Sequence, residues 1–382
     1  MPRVLILNGA LLDAAAPPAA EWLASSPRGA YTTARTVAGG TRVFGLTQHI
    51  ARLAATAALL PPLAAGAGPA PPAATDPAAL RPAVVAGMAA ALRTARQAER
   101  GGGGQKGDWR LTCLLSWGVA APPGAPPAPP PAPPQPPAAP ALPFSLWVHA
   151  APLPPRPTPP VAVLATGAPR ANAGAKDSDW ATAGRAGLEA ARAAAGVEEV
   201  VLVAEGGGAG GGGPALIEGL SSNVAVLEEG APRGGGGGGG AGAGGSGGGG
   251  GGRGPPPSPF LLSITLVAPG PASGALGGTV RTALVDAARR AGLAVEDRPI
   301  RVADAGRWVG AFLTSTSRGA LPVGEVRWPA GAGRADVCLP CHQQGGGLVE
   351  ELDGAVRAAM EAAGEDVEED EAGRTRAGGG RQ

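Results

Sequence analysis

Lysine is almost absent from this chain. Of 31 basic side chains only Lys106 and Lys176 are lysine, and the rest are arginine. Tyrosine is rarer still, with Tyr31 alone, and aromatic residues make up 3% of the sequence. Three cysteines do not make a disulfide framework. No apolar run approaches the roughly 18 residues that a spanning helix needs. Neither sign of charge dominates: the formal net charge is +1 and the arginines are scattered rather than striped. That distribution argues against a nucleic-acid partner. The chain opens on Met1-Pro-Arg-Val-Leu-Ile-Leu, a strand-like run, so no cleavable leader is expected and a cytoplasmic protein is.

Glycine and proline are in excess, 66 and 43 residues, and they are concentrated in tracts. Residues 119–143 are nearly pure Ala/Pro, 205–214 and 230–259 are Gly/Pro-rich, and the end of the chain is acidic and then Arg/Gly-rich. Such segments have too little apolar surface to offset the entropy of ordering. Setting them aside leaves roughly 270 residues, enough for two α/β domains with a real core. The expected layout is an N-terminal domain over 1–150 and a C-terminal domain over 151–360. Residues 119–143 are expected as an Ala/Pro-rich, polyproline-like surface loop, 205–214 and 230–259 as disordered Gly/Pro-rich insertions, and 361–382 as a disordered tail.

Depletion makes the survivors informative. Lys106 sits in a glycine-rich stretch. Lys176 sits in Ala175-Lys176-Asp177-Ser178-Asp179-Trp180, between an expected strand and an expected helix. Arginine cannot replace lysine as a Schiff-base former, because its guanidinium stays protonated. Lys176 is therefore a candidate covalent catalyst, and Tyr31 is a second survivor in a structured segment.

The hydrophobic pattern predicts strands at 3–8, 109–117, 144–151, 160–165, 199–204, 261–267 and 311–314. It predicts a hairpin of 30–37 with 41–44, and a strand-turn-strand unit over 215–227. Helices are expected from Thr47, as N-cap, to about Leu60, over 79–98, over 181–195, and after Gly277-Gly278. His49 and Arg52 share a face of the first of these. Alternating strands and helices in two blocks predict an α/β (α+β) protein. Four further groups could act with Lys176: Arg52, Glu218 in an otherwise apolar strand, Gly277-Gly278-Thr279-Val280 at a helix start, and the hydroxyl run Thr314-Ser315-Thr316-Ser317. Glycines before a helix N-terminus make a ready anion site.

In this order the segments resemble those of the class IV aminotransferases, the pyridoxal-phosphate enzymes of fold type IV. The matching stretches are Gly29-Ala-Tyr-Thr-Thr-Ala-Arg35, Gln48-His-Ile-Ala-Arg-Leu53, Ala175-Lys-Asp-Ser-Asp-Trp180, Glu218-Gly-Leu-Ser-Ser-Asn223, Gly274-Ala-Leu-Gly-Gly-Thr-Val-Arg281 and Phe312-Leu-Thr-Ser-Thr-Ser317. The Gly-Ala-Tyr-Thr-Thr opening and the Lys-x-Ser-Asp-Trp motif are most similar to a plant and green-algal D-amino-acid/branched-chain aminotransferase-like branch. The resemblance implies two α/β domains with pyridoxal 5'-phosphate at their interface and a homodimer. It implies that Lys176 holds the cofactor as an internal aldimine and moves a proton at the substrate α-carbon. Glu218 would pair with the pyridine nitrogen. Arg52, the N–H groups of Thr279 and Val280, Ser315 and Thr316 would hold the phosphate. Ser222 and Asn223 would join the cofactor contacts, and Tyr31 would sit near the cofactor or the substrate carboxylate.

The sequence also departs from the family. Ser26-Pro27-Arg28 stands where members carry Phe/Gly-Asp-Gly, and Gly-Thr-Val-Arg replaces Gly-(Ile/Val)-Thr-Arg at the helix start. The Arg and His that D-amino-acid enzymes carry after the 109–117 strand are missing from 119–143. The expectation is a transaminase acting on a small amino acid and a 2-oxo acid. The alternatives are a lyase of the aminodeoxychorismate type and a cofactor-binding relative without efficient turnover. Beyond Tyr31 the sequence offers no clamp for the substrate carboxylate. Cys338-Leu-Pro-Cys341-His342 matches a haem-attachment pattern, but its glycine-rich flanks and the lack of an export signal argue against haem, and its three groups are too few for a zinc site. No metal is expected.

Overall fold

The structure, a computed structural model, describes residues 2–63, 68–100, 107–118, 142–206, 213–230, 264–339 and 346–367. The expected Ala/Pro-rich loop and the expected disorder of the Gly/Pro-rich segments fall almost wholly outside these residues.

The N-terminal half is built on a seven-stranded antiparallel sheet. Its strands are β1 (Val4–Leu7), β2 (Ala10–Asp13), β3 (Ala30–Val37), β4 (Arg42–Phe44), β5 (Trp109–Ser116) and β6 (Ser145–Pro152), with a last short strand from the C-terminus. Helix α1 (Ala19–Ser25) lies on one face. Helices α2 (Leu46–Leu59), α3 (Pro72–Thr75) and α4 (Pro77–Arg100) supply the other. Leu46, Ile50, Leu53 and Ala57, spaced four, three and four apart, form the buried stripe of α2. They pack with Leu80, Val84, Met88 and Leu92 of α4 against Leu111, Cys113 and Leu115 of the sheet. The opposite sheet face carries Leu5, Tyr31, Leu114 and Trp147, which meet Trp22 and Leu23 of α1. Alternation along β3 and β5 thus sends one set of side chains into the core and the other toward α1.

The second half contains β7 (Val161–Ala165), α5 (Ala186–Ala195), β8 (Glu199–Ala204), β9 (Ala215–Gly219), β10 (Asn223–Glu229), β11 (Ile264–Val267), α6 (Thr279–Arg290), β12 (Ala294–Glu296), β13 (Ile300–Arg301), β14 (Trp308–Ser315), β15 (Gly319–Arg327), β16 (Val337–Cys338) and α7 (Gly346–Ala362). Their mixed sheet runs β10-β14-β15-β7-β8-β9 and returns to β10 through the pairing of Glu218 with Asn223. Six strands therefore close into a barrel. Val163, Val201, Val203, Val224, Val226, Leu313 and Val323 belong to one buried cluster on these strands, while α6 and α7 pack in another with Leu227 and Phe312.

The two halves are stitched beside Lys176. Tyr31 N donates to Lys176 O at 2.9 Å, and Ser178 N donates to Gly29 O at 3.0 Å. Gly29 N donates to Ser178 Oγ at 2.9 Å. Arg28 adds an ion pair to Asp177, Nη2 to Oδ2 at 2.6 Å. A Cβ on Gly29 would collide with the Leu115 carbonyl. Arg28, a departure from the family pattern, is thus a fastener between the halves.

Three expectations are corrected and further elements are added. Thr47 does not cap α2: the N-cap is Gly45 at φ 63°, and the Thr47 hydroxyl donates to Glu365 Oε2 at 2.9 Å. The helix expected over 181–195 is α5 preceded by a wider π-type turn, Trp180–Gly184. Strand β15 and helix α7 are additions to the expected elements. The tail does not lose structure at 361. After α7, β17 (Gly364–Glu365) pairs with β4, and Val367 is buried in the N-terminal core.

Candidate functional site

Strand register gathers most of the site. Glu218 of β9 lies opposite Asn223 of β10, and Asn223 lies opposite Thr314 of β14. Directly opposite residues share a face, so three residues from three strands form one row across the barrel seam. A slip of one position in any pairing would turn that strand's member away. Beside the row, Ser221 and Ser222 form the β9–β10 turn, Ser315 ends β14, and Thr316 and Ser317 follow it. The row faces a cleft of about 330 Å³. All ten site residues expected from the sequence line it: Tyr31, Arg52, Lys176, Glu218, Ser222, Asn223, Thr279, Val280, Ser315 and Thr316.

Lys176 Nζ sits 4.7 Å from the centre of the Tyr31 ring. Burial, reinforced by Arg52, Arg170 and Arg185, lowers its amine from 10.5 to about 7, against a smaller upward pull from Glu218. An amine so placed is substantially neutral near pH 7 and can act as a nucleophile or a base. Its backbone is fixed on both sides, because Lys176 N also donates to Thr56 Oγ1 at 3.1 Å. Burial raises the Tyr31 phenol above its usual value, with Arg185, Arg170 and Arg52 pulling the other way, so the phenol keeps its proton.

Glu218 does not face water. Its oxygens accept from Arg170 Nε at 2.7 Å and Arg170 Nη2 at 2.8 Å, and Leu276 N donates to Oε2 at 3.0 Å. A carboxylate offers about four acceptor positions, so these three bonds leave room for one more donor from the cleft. Arg170 also donates to the carbonyls of Ala173 and Ala175 at 3.3 Å. One guanidinium thereby positions both Glu218 and the segment leading into Lys176.

The other end of the cleft suits an anion. Helix α6 starts at Thr279 with Gly278 as N-cap, and its first intrahelical bond is Thr282 N to Gly278 O at 3.1 Å. The N–H groups of Thr279 and Val280 therefore have no partner within the helix. Gly278 must be glycine, since a Cβ there would strike Asn223 Oδ1. Asn223 Nδ2 donates to Leu276 O at 2.6 Å, which holds the approach to α6. Arg52 reaches from α2 to donate to Gly277 O at 2.7 Å, and burial lowers its guanidinium to about 10. Thr314 Oγ1 is buried with no hydrogen-bond partner. An orphaned hydroxyl in a lined cleft is a vacant bond to a ligand. His49, expected on the same helix face as Arg52, is instead fully buried, with Nδ1 2.8 Å from Thr32 Oγ1.

Sequence reasoning missed three arginines. Arg170 is one. Arg318 is another: it pairs with Glu198 and Glu199 at 2.8 Å each and its Nε donates to Ser315 Oγ at 3.0 Å. Glu199 in turn accepts from Ser221 at 2.8 Å and Ser222 at 3.3 Å, so Arg318 couples the two hydroxyl-bearing turns. The third, Arg110, lines the cleft from β5. In a chain where arginine is the default cation, none carried a compositional signal. Cys338 is exposed, and Cys341 and His342 lie outside the described residues. No metal-binding group of three or more His, Cys, Asp or Glu occurs among the described residues. None of the described helices is long and apolar enough to cross a membrane.

The family model of amino-transferase class IV matches residues 131–326, half of the chain. The chain therefore belongs to the class IV aminotransferase family and is an enzyme of that class. A hypothetical aminotransferase from Mycobacterium tuberculosis superposes in its apo form with a TM-score of 0.57, at 19% identity, over 94% of this chain and 99% of that one. The same protein is also known bound to PLP, and to alpha-ketoglutarate and PMP. A fold IV transaminase from Curtobacterium pusillum gives 0.53 at 21% identity, covering 93% and 98%. The branched-chain aminotransferase of Thermoproteus uzoniensis with norvaline gives 0.57 at 17% identity, covering 95% and 96%. At these identities the likeness establishes the fold, type IV. No curated protein matches the sequence.

Proposed function

We propose that the chain is a pyridoxal-phosphate-dependent transaminase that moves an amino group between a small amino acid and a 2-oxo acid, with Lys176 as its covalent residue. The observation that carries this reading is a lysine amine lowered to about 7 in a cleft shared with a paired, buried carboxylate and an anion-ready helix start. The residues fit the cofactor: Thr314 Oγ1 lacks a partner, the α6 N–H groups are free of intrahelical bonds, and Glu218 keeps an acceptor position. Bound there, pyridoxal phosphate supplies an aldehyde for a lysine and a ring that draws electrons from the substrate α-carbon.

The chain's own residues then divide the work. Lys176 would hold the cofactor and, once displaced by substrate, carry the proton at the α-carbon. Glu218, oriented by Arg170, would hold the proton on the pyridine nitrogen. Arg52, the N–H groups of Thr279 and Val280, Ser315 and Thr316 would hold the phosphate, with Ser222 and Asn223 fixing the wall between. Tyr31 would cover the reacting face and keep water from it. In this reading residues 1–150 and 151–360 act as two domains with the cofactor between them. The Gly-Ala-Tyr-Thr-Thr and Lys-x-Ser-Asp-Trp motifs support membership of the plant and green-algal branch. A homodimer in the cytoplasm belongs to the same reading, and Leu11 and Leu12, 53% and 37% exposed on edge strand β2, support the dimer, which would bury them.

The test is spectroscopic. Purified protein should carry the visible absorbance of lysine-bound cofactor, single L-amino acids should bleach it, and a 2-oxo acid should restore it. Lys176→Ala and Lys176→Arg should lose both colour and cycle. Parental turnover by either variant sinks the assignment. Pyruvate release from aminodeoxychorismate without bleaching by any amino acid would point to the lyase, and silence in both assays to a binding protein.

A further inference from the structure

Three connections meet behind one wall of the cleft. Arg318 lies in the turn between β14 and β15, Ser221 and Ser222 in the turn between β9 and β10, and Glu198 and Glu199 where β8 begins. Ser221, Ser222 and Ser315 line the cleft, whereas Arg318, Glu198 and Glu199 stand outside its lining. Glu199 is buried and Arg318 nearly so. Burial pushes the Arg318 guanidinium down, but Glu199 and Glu198 outweigh that and hold it above its usual value.

A serine hydroxyl has one proton to donate and two lone pairs that accept. The three serines use them differently. Ser221 Oγ donates to Glu199 Oε2 at 2.8 Å, and Ser222 Oγ donates to the same oxygen at 3.3 Å. Both protons thus point behind the wall. Ser222 is also pressed against Gly219, where a Cβ would strike its hydroxyl. Ser315 is the reverse case. Its Oγ accepts from Arg318 Nε at 3.0 Å and from Arg318 N at 3.3 Å. Both lone pairs are filled, and no described residue accepts its proton. The rest of the guanidinium is anchored, by Glu198 Oε1 and Glu199 Oε2 at 2.8 Å each and by Ser221 Oγ at 3.2 Å. Arg318 therefore cannot turn away from Ser315 without breaking two ion pairs.

We infer that Arg318 is a positioning residue for the anion end of the cleft: it fills the acceptor side of Ser315 and so directs that hydroxyl's proton at a bound phosphate, while Ser221 and Ser222 give their protons to Glu199 and none to the ligand. The inference rests on the pyridoxal-phosphate reading above. Ser315 adjoins Thr314, whose hydroxyl has no partner, so the oriented donor stands where a ligand bond is already vacant. A donor fixed before the ligand arrives needs no reorganisation when it binds. With its lone pairs open, the same hydroxyl would be free to rotate and accept from water instead. Arg318 acts through one oxygen and not by touching the phosphate.

The test measures binding to the cofactor-free protein of two probes that differ only in the phosphate, pyridoxal phosphate and pyridoxal. Wild type should prefer the phosphorylated probe, and that preference isolates the anion end. Ser315→Ala should lower it by roughly 10- to 100-fold, the scale of one hydrogen bond to a charged group. Arg318→Met should lower it by roughly 10-fold while pyridoxal affinity stays within about threefold of wild type. Arg318→Lys, which keeps the charge but not the fork, should recover part of the preference. The double variant Arg318→Met/Ser315→Ala should lose far less than the product of the two single losses, because both act on one donor. Ser221→Ala should leave the preference within about threefold. If Arg318→Met folds poorly, Arg318→Met/Glu199→Gln leaves fewer buried carboxylates unpaired and takes its place in the same cycle. Equal losses for both probes would make Arg318 a purely structural residue and overturn the inference. So would single losses that simply multiply, or a loss in Ser221→Ala as large as that in Ser315→Ala. A wild type with no preference between the probes defeats the cofactor reading instead. Calorimetric titration of inorganic phosphate then still decides Arg318: weaker, non-multiplying binding in the Arg318 and Ser315 variants upholds the inference, and unchanged binding overturns it.

Discussion

Replacing Arg170 with leucine should cost the protein more than any other change at the rim of the cleft. The guanidinium is 8% exposed and its partner Glu218 is 2% exposed, with Nε to Oε1 at 2.7 Å. Removing one partner of such a pair leaves a buried carboxylate without its counter-charge, a loss of about 3–5 kcal/mol. The Ala173 and Ala175 carbonyls lose weaker bonds at 3.3 Å and add little. In a chain of this size the loss should lower the melting temperature by on the order of 10 °C. Removing both charges together is different, because an apolar pair of similar volume needs no compensation. The double variant Arg170→Leu/Glu218→Leu should therefore be more stable than Arg170→Leu alone, despite the acceptor lost to Leu276 N. Urea unfolding of the cofactor-free protein, for both singles and the double, measures the coupling, which should reach about 2 kcal/mol. Single costs that add to within about 0.5 kcal/mol would show that the two residues are not a unit. The proposed orientation of Glu218 by Arg170 would then fall.

Two further outcomes follow from the cleft. Glu218→Gln keeps the size of the side chain and removes its charge, so turnover at saturating cofactor should drop by about 10² or more, the scale of one preorganised electrostatic partner; unchanged turnover would remove Glu218 from the chemistry. Lys176 loses its proton near 7 rather than 10.5, and only the neutral amine attacks a carbonyl. Capture of pyridoxal by the cofactor-free protein, trapped with borohydride and read by mass spectrometry, should rise with pH through about 7 and level off above about pH 8. A rate still climbing above about pH 9 would mean that the amine is an ordinary exposed lysine.

The parts of this fold that depend on short-range pattern are legible in the amino-acid sequence alone. Alternation and β-branched runs mark β3, β5, β6, β8, β9 and β10, and Lys176 and Tyr31 stand out because their residue types are so scarce. Glu218 is visible as one acid among Ala215, Leu216 and Ile217. What the pattern does not carry is whatever depends on a distant partner. Gly45 rather than Thr47 begins α2 because Thr47 is drawn to Glu365, more than 300 positions away. Strand β15 begins at Gly319 and contains Pro322 and Gly324, residues that depress strand propensity, and is held by its neighbours β14 and β7. Arg110, Arg170 and Arg318 matter for what they face, and composition cannot report that.

Closure of the barrel also settles where this protein has been free to grow. The Glu218–Asn223 seam lies at the end where β9 stops and β10 starts. The described strand ends that flank residues 207–212 and 231–263 lie at the opposite rim. The first segment joins Ala204 to Ala215, which pair with each other, and the second joins Glu229 to Ile264, which also pair. Each splice is closed by a strand pairing that fixes its two ends, so its length is not transmitted to the row at the seam. That rim is a pair of ports: a reporter or an affinity handle grafted there would sit a barrel's height from the chemistry, on ends already held together.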